Sequence, residues 1–212
     1  MTTFKALALG NYEKVKYHPF EGVDREIEAC MADAATVRST GDYSVLNEET
    51  LSEYELFISY TEFADEPLPQ EQVAALLQYV AGGGGLLVIH NGISMQSNKE
   101  LMAMMGGKFT GHPPFTSLPV RRTSVDHPIT RGVPDYVIDD EPYRFDMMPH
   151  YETTIVAEYE HEGRMWPAAW AHEYGLGRVA YLMNGHRLSC FKVEPFRQLI
   201  KQAGAWAARK SS

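Results

Sequence analysis

Cysteine is scarce in this chain: Cys30 and Cys190 are the only two among 212 residues. Two cysteines with no CxxC spacing make no disulfide framework and no paired-cysteine metal motif, so both are expected as small buried apolar residues. Basic charge is also short, with 19 Lys and Arg against 28 Asp and Glu and a net charge of −9. Nucleic acid and anionic membranes need clustered Lys and Arg. Arg121-Arg122 and Arg209-Lys210 form no basic face, so neither partner class is expected. Long apolar runs are missing, and no stretch approaches the roughly 20 residues of a membrane span. The apolar run within Met1–Gly10 is too short for a signal-peptide core, and the acidic balance suits a cytoplasmic protein.

Several familiar chemistries lack their signatures as well. There is no HExxH or HxH metal pattern and no GxSxG nucleophile elbow. The glycine run at 82–85 precedes a strand, so it cannot cradle phosphate as a strand-to-helix glycine loop does.

What is present is α/β patterning over a length that fits a single domain spanning residues 1–212. Residues 82 to 92 read Gly-Gly-Gly-Gly-Leu-Leu-Val-Ile-His-Asn-Gly. A short apolar run bounded by glycines predicts a fully buried parallel strand over Leu86–Ile89. Further strands are expected at Lys5–Gly10, Ala35–Ser39 and Leu56–Tyr60. Helices are expected over Val23–Asp33, from Pro67 to the glycine run, over Asn98–Met105 and over Pro195–Ala207. Pro67 and Pro69 would sit in the first turn of the second helix, and the glycine run would supply its left-handed cap. Alternating strands and helices predict a mostly parallel, doubly wound sheet with helices on both faces. Between residues 108 and 180 short β-rich pieces predict added antiparallel strands: Ser117–Thr123, Tyr143–Phe145, Thr153–Glu158 and Met165–Ala171. Arg178–Met183 reads as another buried strand, followed by Asn184-Gly185-His186.

Two apolar strands thus end alike, in His90-Asn91-Gly92 and in Asn184-Gly185-His186. Open α/β sheets bind ligands at the carboxyl ends of their strands, so His90 and His186 are candidates for acid–base work or metal ligation. His112 sits in a rigid Gly-His-Pro-Pro loop and joins them. His127, before Pro128, reads as a turn former. His161 lies between glutamates and is expected in solvent, and His150 is expected in a loop. Asp139-Asp140-Glu141 is the densest acidic cluster, either solvated charge or a carboxylate folded over a histidine-lined crevice. Trp166, Trp170 and Tyr174 could stack on a sugar, although aromatics at strand spacing are more often core. No cofactor is required. A divalent metal assembled from His90, His112, His186 and Glu141 remains an option. The stretch Met102, Met104, Met105 could cover a homo-oligomer interface or pack inside.

In order along the chain stand Gly83–His90, Leu101 to His112 with Met-Gly-Gly-Lys-Phe-Thr-Gly-His, Asp126–Gly132 and Asp140-Glu-Pro-Tyr143. Pro167-Ala-Ala-Trp170, Tyr174–Tyr181 and Gly185-His186 follow. This series resembles the ThuA-like (trehalose utilisation) family of the class I glutamine amidotransferase-like superfamily, from about residue 50 onward. The resemblance implies a flavodoxin-like three-layer sandwich and a link to disaccharide or oxidised sugar metabolism. It also implies that His90 stands where amidotransferases keep a cysteine nucleophile, so glutaminase chemistry is not expected. On this reading the protein is an enzyme cleaving a disaccharide or keto sugar by hydrolysis or elimination. His90 or His186 would be the base and Glu141 the acid or a hydroxyl ligand, with His112 nearby. Asn91, Tyr143, Trp170 and Asn184 would hold the sugar. The alternatives are a non-catalytic sugar-binding or regulatory module and a metal-dependent hydrolase.

Overall fold

The computed structural model describes residues 3–13, 15–62, 66–149 and 152–210; His150 lies outside them. The first half builds β1 (Phe4–Gly10), α1 (Val23–Met31), β2 (Ala35–Thr40), α2 (Glu48–Leu51), β3 (Leu56–Tyr60), α3 (Gln70–Ala81), β4 (Gly85–Ile89) and α4 (Lys99–Met105). The second half adds β5 (Gly107–Gly111), β6 (Thr116–Arg122), β7 (Tyr136–Asp140), β8 (Arg144–Met147), β9 (Thr154–His161), β10 (Arg164–Tyr174), β11 (Gly177–Leu182) and α5 (Glu194–Ala207).

One nine-stranded sheet runs β2-β1-β3-β4-β11-β10-β9-β6-β7. Its first five strands are parallel to one another. They take the 2-1-3-4-5 order of flavodoxin-like sheets. From β10 outward the pairings turn antiparallel. A separate antiparallel pair, β5 with β8, lies apart from it.

The chain winds from β1 outward to β2, then returns to β3 and proceeds to β4. Right-handed crossovers therefore place α1 on one face and α3 on the other. α5 packs beside α1, giving three layers. β3 and β4 are buried at every position, as a central parallel strand covered on both faces must be. α1 turns Val23, Ile27, Cys30 and Met31 inward at helical spacing, and α5 does so with Phe196, Leu199, Ile200, Ala203 and Trp206. Both cysteines are buried and free. Met104 and Met105 are fully buried in the core.

Some local expectations need correction. α3 begins at Gln70, with Pro69 as its extended cap rather than in its first turn. The glycine run does end that helix, with Gly82 right-handed and the positive φ at Gly83, 118°. Two strands had no counterpart in the periodicity, β5 and β7. The predicted Tyr143–Phe145 piece is displaced to Arg144–Met147, because Tyr143 turns inward against His90 instead of pairing.

Candidate functional site

The reversal of winding between β1 and β3 falls at the carboxyl ends of the parallel strands, where sheets of this order usually keep a ligand crevice. His18 follows β1, Glu62 follows β3, His90 follows β4 and His186 follows β11. Glu141 enters from the antiparallel half, one residue past β7.

His90 is fully buried and begins a 3-10 stretch with φ 45°. A left-handed conformation at a non-glycine residue costs about 1–3 kcal/mol and persists only where neighbours impose it. Here they do. The Tyr181 hydroxyl donates to the His90 carbonyl, and the His90 ring nitrogen Nδ1 lies 2.6 Å from the Met183 carbonyl. Its ring stacks on Tyr143 with centroids 4.2 Å apart. The next two residues lock the turn. Asn91 donates to the carbonyls of Tyr60 and Thr61. Gly92 presses on β3 so closely that a Cβ there would stand 2.3 Å from the Ser59 carbonyl oxygen. Asn91 is therefore a staple between strand ends, buried away from the crevice mouth.

Glu141 faces three histidines. Its Oε2 is 3.1 Å from His186 Nδ1 and 3.5 Å from His90 Nε2, while Oε1 is 3.7 Å from His112 Nε2. Burial alone would raise its pKa, but the nearby imidazoles of His186 and His90 outweigh that and hold the carboxyl well below the usual range. Glu141 is thus kept ionised, which suits an acceptor or hydroxyl ligand and not the proton donor. Asp140 explains its position. This fully buried carboxylate accepts from the backbone N–H groups of Glu141, Gly185 and His186 and from Asn184 Nδ2. It ties the end of β7 to the loop after β11.

His18 completes the cluster. Its Nε2 lies 3.0 Å from His186 Nδ1, and its Nδ1 lies 2.8 Å from Glu62 Oε2. Glu62 also accepts from the backbone of Lys16, Tyr17 and His18 and so fastens this loop over β3. Burial, then the charge of His90, pushes the His18 pKa down to about 4 against the opposing pull of Glu62. One donor atom from each of His18, His90, Glu141 and His186 lies within 4.8 Å of the others. That spacing could serve one metal ion.

Of the residues singled out in the sequence, His90, Glu141, His186, His112 and Tyr143 come together. His112 stands at the more exposed edge, its side chain 36 % accessible. Trp170 does not reach the crevice. It is fully buried, stacks on Tyr181 and donates to the Met105 carbonyl. Asn184 is likewise buried, between Asp140 and the Tyr136 hydroxyl. His127 accepts from the Ile129 N–H and forms the expected turn. His161 is not in solvent; Arg144 holds its ring in a partly buried position. The residues that sequence reasoning passed over are His18, Glu62 and the aromatics Tyr17 and Phe115, whose rings flank His18 and His186 at 6.2 and 5.7 Å. A histidine followed by proline in the loop after β1 was the only signal for His18.

Three structural relatives share the architecture. A ThuA-like protein from Parabacteroides merdae is 17% identical over 98% of this chain and 90% of its own, with a TM-score of 0.81. One from Bacteroides uniformis is 20% identical over 96% and 91%, with a TM-score of 0.77. A cytoplasmic protein of Salmonella typhimurium LT2 is 14% identical over 96% and 99%, with a TM-score of 0.71. At such identities the likeness speaks for the fold. No curated protein matches the sequence. Among the described residues no helix is long and apolar enough to cross a membrane. The family model for ThuA, trehalose utilisation, matches residues 12–207, and the chain belongs to that family.

Proposed function

We propose that this protein is a cytoplasmic enzyme of carbohydrate use, acting on a disaccharide or keto sugar by acid–base chemistry at His90, Glu141 and His186. The observation that carries the reading is the placement of one carboxylate, after β7, among three imidazoles that follow β4, β5 and β11. Breaking a glycosidic bond, by hydrolysis or elimination, needs a proton acceptor and a proton donor on a bound sugar. Imidazoles can take either part near neutral pH. Glu141 then serves as the charge that orients them or as a hydroxyl ligand. Tyr17, Phe115 and the more exposed His112 supply the rim against which a sugar ring could lie, the part first given to Trp170. Membership of the trehalose utilisation family supports the substrate class.

The test is turnover. A panel of disaccharides and their keto forms should yield product with the wild-type protein. His90→Ala and Glu141→Gln should each lower turnover by about 10²-fold or more, the usual worth of a positioned acid or base. Wild-type rates in both folded variants would remove these residues from the chemistry. Saturable sugar binding with no product after long incubation would favour the non-catalytic module instead.

A further inference from the structure

We infer that His18, His90, His186 and Glu141 bind one first-row divalent transition-metal ion, with Glu62 and the Met183 carbonyl fixing two of the ligands from behind. The inference rests on the sugar-processing reading but recasts His90 and His186 as ligands in place of proton carriers, the metal-dependent alternative read from the sequence; metal binding can be measured without any sugar.

The argument begins with proton positions. A carbonyl can only accept, so His90 Nδ1 donates to Met183 O at 2.6 Å. Its other nitrogen, Nε2, then presents a lone pair. That nitrogen is fully buried, without a hydrogen-bond partner among the described residues, and 3.5 Å from a carboxylate oxygen. A lone pair turned toward a carboxylate in a dry pocket is unfavourable unless a cation or proton lies between them. His18 repeats the pattern. Its Nδ1 donates to the Glu62 carboxylate at 2.8 Å, which leaves Nε2 bare and directed at His186 Nδ1, 3.0 Å away. In the neutral cluster only His186 Nδ1 can carry a proton among the four inward atoms. A carboxylate or carbonyl behind a histidine is the customary outer support of a metal-bound imidazole.

The spacing agrees. Zinc–nitrogen bonds of 2.0–2.1 Å in a tetrahedron put neighbouring ligand atoms about 3.4 Å apart. The contacts here are 3.0, 3.1 and 3.5 Å, and all four atoms lie within 4.8 Å. Three imidazoles and one carboxylate suit zinc, iron, cobalt or nickel better than magnesium or calcium, which prefer all-oxygen sites. His112, included when the ligands were read from sequence, falls outside the group because it approaches the other carboxylate oxygen from the rim.

Untagged full-length protein, stripped with a chelator and dialysed, would be titrated with Zn²⁺ by calorimetry and assayed for bound metal by mass spectrometry. The expected result is saturable binding of one ion per chain. Cobalt at one equivalent should give the visible d–d bands of a nitrogen- and oxygen-ligated site. The His90→Ala/His186→Ala double variant should lose the site. Glu62→Gln, which keeps every ligand, should weaken it by about 10- to 100-fold. Absence of saturable 1:1 binding to the wild type, or a featureless cobalt spectrum, would overturn the inference, and neither depends on a variant folding. Equal affinity in Glu62→Gln would overturn the assigned outer support. Metal binding with no sugar turnover counts against the proposed function and leaves the metal centre standing.

Discussion

Asp140 shows how much one side chain can organise. Four donors from β11's loop and from Glu141 end on its two oxygens, inside a fully buried pocket. Asp140→Ala would strand those donors, and each unsatisfied buried group costs about 1–3 kcal/mol. Some would relax toward the crevice, so a net loss of at least ~3 kcal/mol is expected. In a chain of this size that lowers the melting temperature by about 6–12 °C. Asp140→Asn, which keeps an acceptor oxygen, should lose less. A calorimetric melting temperature for Asp140→Ala within 2 °C of wild type, against the drop of about 6–12 °C expected, would contradict the role. In the sequence Asp140 was one of three adjacent carboxylates, and nothing in that spacing separates a buried organiser from solvated charge. Glu141 was singled out beside it, but its ionised state depends on His90 and His186, which lie far away along the chain.

At the scale of elements, the parallel half was legible because its strands are apolar runs bounded by glycine or polar turns, and its helices repeat at 3.6 residues. The antiparallel half was less so. β7, Tyr136–Asp140, alternates with Val137 largely exposed and Ile138 buried and ends in two carboxylates. β5, Gly107–Gly111, is bracketed by glycines and among the described residues pairs only with β8. Missing β7 hid the reason Glu141 reaches the crevice. The His-Asn-Gly turn after β4 was legible as a corner, but not as a contact with β3. Gly92→Ala should push that turn off Ser59, since its Cβ would meet the carbonyl oxygen at 2.3 Å. Overpacking of this kind costs about 1–3 kcal/mol, and a shifted His90 should depress sugar turnover as well. A urea midpoint and turnover rate both equal to wild type would show that the turn tolerates displacement.

Across the whole molecule, the crevice gathers side chains from loops after β1, β3, β4, β7 and β11. No local motif can announce such a site. Two of its histidines were readable because each follows a buried strand, whereas His18 became a candidate only when the topology set β1 beside β3. The same topology leaves a second cleft near Tyr54, Tyr79 and Arg209, beside the glycines that precede β4 and thus toward the opposite strand ends.

The most direct measurement is a crystal structure of Glu141→Gln soaked with a disaccharide or keto sugar that the wild-type protein turns over. The account predicts the sugar in the crevice, with its glycosidic oxygen or a hydroxyl within about 3 Å of His90 or His186 and a ring against Phe115 or Tyr17. A sugar seated in the cleft beside Tyr54, Tyr79 and Arg209, with the histidine cluster untouched, would contradict it.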